Sequence, residues 1–203
     1  MDGLEALKIT GERIPELAEV NTLLKHRTGF EGVYVSGFED PLSFFPMLAQ
    51  RTFPIGAFIR EPEDLSYTPA PDVFHDLYGH LPFLANLDYA NFNQKFGEVA
   101  SRHLGNPKVL RQFDRFYWFA VEFPLIRTEN GIRIFGAGIA SSFGETRYAL
   151  SSAPEVRPFN LELIRKHEFR IDEYQKILYL LNSTEELYES LESFESIAVN
   201  ASE

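Results

Sequence analysis

A mostly α-helical architecture with a few short strands, built as one domain over residues 1–203, is what this sequence predicts. Apolar residues recur at helical spacing in several long stretches, whereas β-branched runs are short and bounded by turn residues. The length suits a single domain, and there is no internal repeat or low-complexity linker to divide it. Leu4, Leu7, Ile9, Ile14, Leu17, Val20, Leu23 and Leu24, broken near Gly11, fit two short helices. Val33-Tyr34-Val35 reads as a strand, Pro41 to Arg51 as a helix and Phe53 to Ile59 as an extended stretch. Asp72, after two prolines, suits the N-cap of a helix that stops at Gly79. A further helix is expected over Leu87–Leu104 and a long, very apolar one from Pro107 through Ile126. Asn130-Gly131 is a strong turn signal before a short strand at Ile132–Phe135. Residues 161–182 read as helical with a strand near Tyr174–Leu181. Ser183-Thr184-Glu185-Glu186 is a capping box that opens an acidic amphipathic helix over residues 183–203.

Composition narrows the function. Nineteen basic residues against thirty acidic ones leave a formal net charge of −11, which repels nucleic-acid phosphates and anionic membrane surfaces. The absence of cysteine removes disulfides, thiolate metal sites, iron–sulfur clusters and a cysteine nucleophile, and it fits a reducing cytoplasm. Apolar runs fall short of the ~20 residues of a membrane span. Met1-Asp2-Gly3 is no signal peptide. Nineteen phenylalanines suggest an aromatic-lined interior, and small molecules are the expected partners.

The candidate chemistry begins with His75 and His80 in Pro71-Asp72-Val73-Phe74-His75-Asp76-Leu77-Tyr78-Gly79-His80-Leu81-Pro82. Five positions on an ideal α-helix rotate the rings ~140° apart. A helix ending at Gly79, with Pro82 preventing its continuation, would free His80 to swing back. Alone, the spacing is a weak signal and reads first as two ordinary histidines. Glu122 is the one carboxylate in Phe116–Ile126, and an ionised carboxylate in apolar surroundings requires a metal or a cationic partner such as Arg127 or Arg147. Two imidazoles and a carboxylate form the facial triad of non-haem iron(II) or a His2Glu zinc site. Trp118, one helical turn before Glu122, suits an aromatic substrate or simply the core. Gly136-Ala137-Gly138 lacks the third glycine and the βαβ setting of a dinucleotide fingerprint, so these glycines are read as allowing close packing.

In combination, YTPAPDVFHDLYGHLPFLAN, FYWFAVEFPLI and IRIFGAGIASSFGE resemble the pterin-dependent aromatic amino acid hydroxylases, on the side of the bacterial phenylalanine 4-hydroxylases. The resemblance implies that family's catalytic-domain fold, N-terminally shortened, with His75, His80 and Glu122 as iron ligands. It places Arg60 against the amino acid carboxylate with Thr68 and Ser141. Pro71 and Trp118 fall at the substrate ring, and Gly138 is a further substrate-binding position. Gly37, Phe44, Asp76 and Tyr117 fall at the pterin, with Phe45 as an alternative to Phe44. The implied reaction is hydroxylation of L-phenylalanine to L-tyrosine with Fe(II), O2 and a tetrahydropterin, by a cytoplasmic monomer. Trp118 matches the tryptophan of phenylalanine hydroxylases, and Ile171 is apolar where tyrosine hydroxylases carry aspartate, so phenylalanine is the expected substrate. The alternatives are tryptophan or phenylalanine 3-hydroxylation, a zinc hydrolase, and an inactive ligand-binding remnant.

Overall fold

A computed structural model describes residues 2–37, 39–62 and 71–200. The chain divides into two compact units, one formed by residues 1–59 and 71–102 and the other by residues 60–70 and 103–203.

The first unit contains α1 (Gly3–Ala6), α2 (Leu17–Thr28), β1 (Glu31–Val35), α3 (Pro41–Ala49) and β2 (Thr52–Gly56). A π-helical turn (His75–His80), α4 (Leu81–Leu84) and α5 (Leu87–Ser101) complete it. Polar side chains set the starts: Asp2, Asp40 and Asn86 each accept a hydrogen bond from a backbone N–H of the first turn. Gly29, at φ +78°, ends α2 in the left-handed conformation. β1 and β2 pair in parallel from Glu31↔Thr52 to Val35↔Gly56. Leu24, Phe30, Phe45, Leu48, Ile55, Leu77, Leu81 and Phe96 are buried in this unit. Contrary to the expected stop at Gly79, the helix winds on through it as a π-turn into α4. Pro82 lies in the first turn of α4, where its fixed φ suits the start of a helix.

The second unit contains α6 (Pro107–Tyr117), a second π-turn (Trp118–Glu122), and the hairpin strands β3 (Leu125–Thr128) and β4 (Gly131–Ile134). It continues with α7 (Ala137–Ala140), α8 (Phe143–Ala149), β5 (Glu155–Pro158), α9 (Leu161–Ile164), β6 (Ile177–Leu181) and α10 (Thr184–Asn200). Its mixed sheet has the order β4-β3-β6-β5. β3 and β4 are antiparallel, while β6 runs parallel to both β3 and β5.

The helix expected through Ile126 ends four residues earlier. Pro124 cannot extend it, and its carbonyl instead accepts from the N–H groups of Phe135 and Gly136. Of residues 161–182, expected to be helical with a strand near Tyr174–Leu181, the helix shrinks to α9 and the strand forms as β6. Leu178 to Leu181 are buried in the sheet, and the continuous apolar run is that of a strand covered on both faces. Between them, Arg170 bridges Asp172 at 2.6 Å, and Gln175 Nε2 donates to the Arg170 carbonyl at 2.7 Å. Local turns therefore replace helical bonds there. α10 begins as expected, with Ser183 Oγ accepting from Glu186 N–H, but the Glu186 carboxylate reaches back to the Asn182 N–H rather than to the cap residue. Among the described residues no helix is long and apolar enough to cross a membrane.

Candidate active site

The first unit brings His75 and His80 together. Residues five apart are out of register on an α-helix, but a turn bonded i→i+5 stacks them on one face. His75–His80 is such a turn, and its two Nε2 atoms lie 2.9 Å apart. Two nitrogens each ~2.1 Å from one ion and ~90° apart about it would be separated by ~3 Å, so this pair fits adjacent ligands of a single metal. Ligand atoms of His75, Asp76 and His80 all lie within 4.8 Å of one another.

Buried acids hold that turn. Asp72 Oδ1 accepts from the His75 N–H at 2.9 Å, the cap expected from the sequence. Asp76 Oδ2 accepts from the Gly56 N–H at the end of β2 at 2.7 Å. Phe53 of β2 lies against the His80 ring with centroids 4.5 Å apart. Phe44 packs edge-on to Phe53 and is half-buried. Phe45 is 1% exposed in the core, so of the two only Phe44 can present a face to a ligand. Gly37 is exposed after β1, and Pro71 is half-buried with its carbonyl against Gly56.

The second unit repeats the device. Trp118–Glu122 is also a π-turn, closed by the Phe123 N–H donating to the Trp118 carbonyl at 3.0 Å. Glu122 Oε2 is buried. Gly136 and Gly138 pack where the sequence suggested close approach. A Cβ on Gly136 would meet the Glu122 carbonyl and, at 2.8 Å, Phe123 Cα; one on Gly138 would lie 2.9 Å from the Phe123 ring. Gly136→Ala must therefore move the backbone of Glu122. Overpacking of this kind destabilises by about 1–3 kcal/mol, so the expected result is a Tm lowered by roughly 2–12 °C. Thermal melts of the variant check it.

Arg60 is buried in the same unit and donates from Nη1 to the Ser141 carbonyl at 3.4 Å. The Ser141 hydroxyl donates to the Ala137 and Gly138 carbonyls at the end of α7. Tyr117 is buried at the end of α6, and Trp118 stacks on Phe169. Ile171 is 44% exposed. Thr68 lies outside the described residues.

Glu145 was not singled out from the sequence. Burial pushes its carboxyl up to about 7; Ser142 opposes the shift, the nearby Glu122 charge adds to it, and the Arg60 guanidinium opposes it. Its one sequence signal, Ser142 three residues before it, is a capping box that ordinarily marks an exposed helix start.

Residues 4–200 match the family described as biopterin-dependent aromatic amino acid hydroxylase. A phenylalanine-4-hydroxylase of Caulobacter vibrioides is 41% identical over 190 residues, which are 93% of this chain. The chain spans 64% of that relative's length. A crystal structure of Chromobacterium violaceum phenylalanine hydroxylase with bound oxidized Fe(III) superposes with a TM-score of 0.92 at 36% identity, covering 98% of this chain and 72% of the other. Another structure of that enzyme, holding iron(III) and the oxidized cofactor 7,8-dihydrobiopterin, gives a TM-score of 0.90 at 36% identity, with 98% of this chain and 73% of the other covered.

Proposed function

Because the chain belongs to the biopterin-dependent aromatic amino acid hydroxylases, we propose that it converts L-phenylalanine to L-tyrosine with O2 and a tetrahydropterin. The observation that carries this reading beyond family membership is the His75–His80 Nε2 pair at 2.9 Å on a π-turn. His75, His80 and Glu122 are the proposed iron ligands. When bound, ferrous iron and the reduced pterin supply the electrons that let O2 react with an aromatic ring.

The chain's own residues bind and orient. Arg60 offers a planar guanidinium that can grip the amino acid carboxylate with two parallel hydrogen bonds, and Thr68 and Ser141 are proposed beside it. Pro71 and Trp118 are assigned to the amino acid ring, and Gly138 to the substrate site. Phe44 gives the pterin a stacking face, with Gly37, Asp76 and Tyr117 around it. Asp76 already holds the end of β2 to the histidine turn through the Gly56 N–H, which fixes the position of both. No side chain is needed as a nucleophile; positioning three reactants supplies the protein's share of the rate. Residues 1–203 are proposed to act as one catalytic domain, a cytoplasmic monomer whose partners are small molecules.

Fe(II), a tetrahydropterin and phenylalanine, mixed with the purified chain, should give tyrosine with one iron per chain. Stoichiometric zinc with amidase activity, and no tyrosine, would replace this reading with the hydrolase. Trp118→Phe opens space beside the substrate ring and should shift the kcat/KM ratio toward tryptophan. Since one pocket contact discriminates by roughly tenfold to two-hundredfold, a shift of that order is expected from the three-substrate comparison of wild type and variant.

A further inference from the structure

Four groups pack in series in the second unit. The Arg111 guanidinium lies over the Phe169 ring, 5.3 Å from its centroid. Phe169 is stacked on Trp118 at 4.2 Å between centroids and 12° between planes, and Trp118 lies 4.7 Å from Phe123. The residue before Phe169 is fastened to α6 twice, since Glu168 pairs with both Arg111 and Arg115. Arg115 also donates to the Arg165 carbonyl at 2.8 Å. The Trp118 indole Nε1 is buried and finds no hydrogen-bond partner among the described residues.

A ring without a hydrogen bond to orient it takes its plane from the faces it touches. Phe123 belongs to the apolar cluster formed with Leu125, Ile139, Leu178 and Leu180, so it serves as a fixed wall. Phe169 is different, because it sits on a segment without regular secondary structure that is held by charged pairs on α6. We infer that Phe169, clamped by Arg111 and Glu168, is the positioning residue that sets the Trp118 ring plane and thereby the discrimination between phenylalanine and larger aromatic substrates. This inference rests on the hydroxylase reading for its substrate and on the stack alone for its geometry.

Trp118 is the only tryptophan in the sequence, so its emission reports on this ring directly. Phe169→Leu keeps the site apolar but removes the stacked face. Its fluorescence anisotropy should fall and its near-UV circular dichroism weaken. The phenylalanine-over-tryptophan ratio of kcat/KM should drop roughly threefold to tenfold, the measured worth of one aromatic pair. Phe169→Tyr, which retains the ring, should restore all three readouts. Arg111→Gln, at an exposed position that leaves the fold intact, should move them the same way by a smaller factor.

Unchanged anisotropy and dichroism in both Phe169→Leu and Arg111→Gln would overturn the inference. So would a loosened indole in an active enzyme whose substrate ratio stays at the wild-type value. A wild type that hydroxylates none of the three amino acids would instead overturn the hydroxylase reading and the specificity role with it, while the optical comparison would still decide whether Phe169 fixes the ring.

Discussion

Glu122→Gln is expected to lower iron affinity by more than about a hundredfold and to abolish tyrosine formation, with the fold retained. Substitution of groups that only support metal ligands costs about tenfold to a hundredfold, and loss of a ligand's charge should exceed that range. The carboxamide has the same shape but no anionic oxygen to offer a cation. It is also cheaper to bury than a carboxylate, so the Tm should not fall. Iron content per chain, a thermal melt and a tyrosine assay test this together. Undiminished iron and turnover in the variant would remove Glu122 from the ligand set.

Arg60→Ala should raise KM for the amino acid about tenfold to a hundredfold, because a hydrogen-bonded charge pair contributes about 1.5–3 kcal/mol. KM for the pterin should change far less. Arg60→Lys should not rescue the loss, since an ammonium is a point charge that cannot grip a carboxylate bidentately. The wild-type guanidinium is already buried and held against the Ser141 carbonyl, so it is oriented before the substrate arrives. Equal losses for amino acid and pterin would make Arg60 a purely structural residue.

Where cues were local, the sequence was readable. Caps at Asp72 and Ser183, the Asn130-Gly131 turn with the strand after it and the amphipathic face of α10 depend on residues a few positions apart, and they appear as expected. The ligand candidates were legible as residue types, but the winding that joins two of them was not. Ideal α-geometry sends His75 and His80 to different faces. The extra residue per turn that realigns them is held by the Asp76 bond to β2, a contact between elements some 20 positions apart along the chain. The same limit hid the end of α6, where Phe116 to Ile126 is apolar except for Glu122 and gives no periodicity to separate helix, π-turn and strand. Residues 161–182 were legible in part: the strand expected near Tyr174–Leu181 forms as β6, paired with β3 and β5, whereas the helix expected before it shrinks to α9. Phe169 gave no signal of its own, since one phenylalanine among nineteen is informative only once its ring is seen on Trp118.

The order β4-β3-β6-β5 also constrains how the chain can be born. Of the described strands β6 is the last to leave the ribosome, yet it occupies an interior place in the sheet, joining β3 on one side to β5 on the other. Until residues 177–181 emerge, the β3–β4 hairpin and the β5 segment have nothing to join them, and each carries an open edge able to pair with another nascent chain. The pairing of Leu125 with Leu180 then closes a loop longer than fifty residues, a slow event relative to local helix formation. The first unit, whose residues end at Arg102, can mature earlier. A ribosome stalled between Pro158 and Ile177 would thus hold a finished first unit beside a sticky, half-built sheet, the interval in which a chaperone would be of most use.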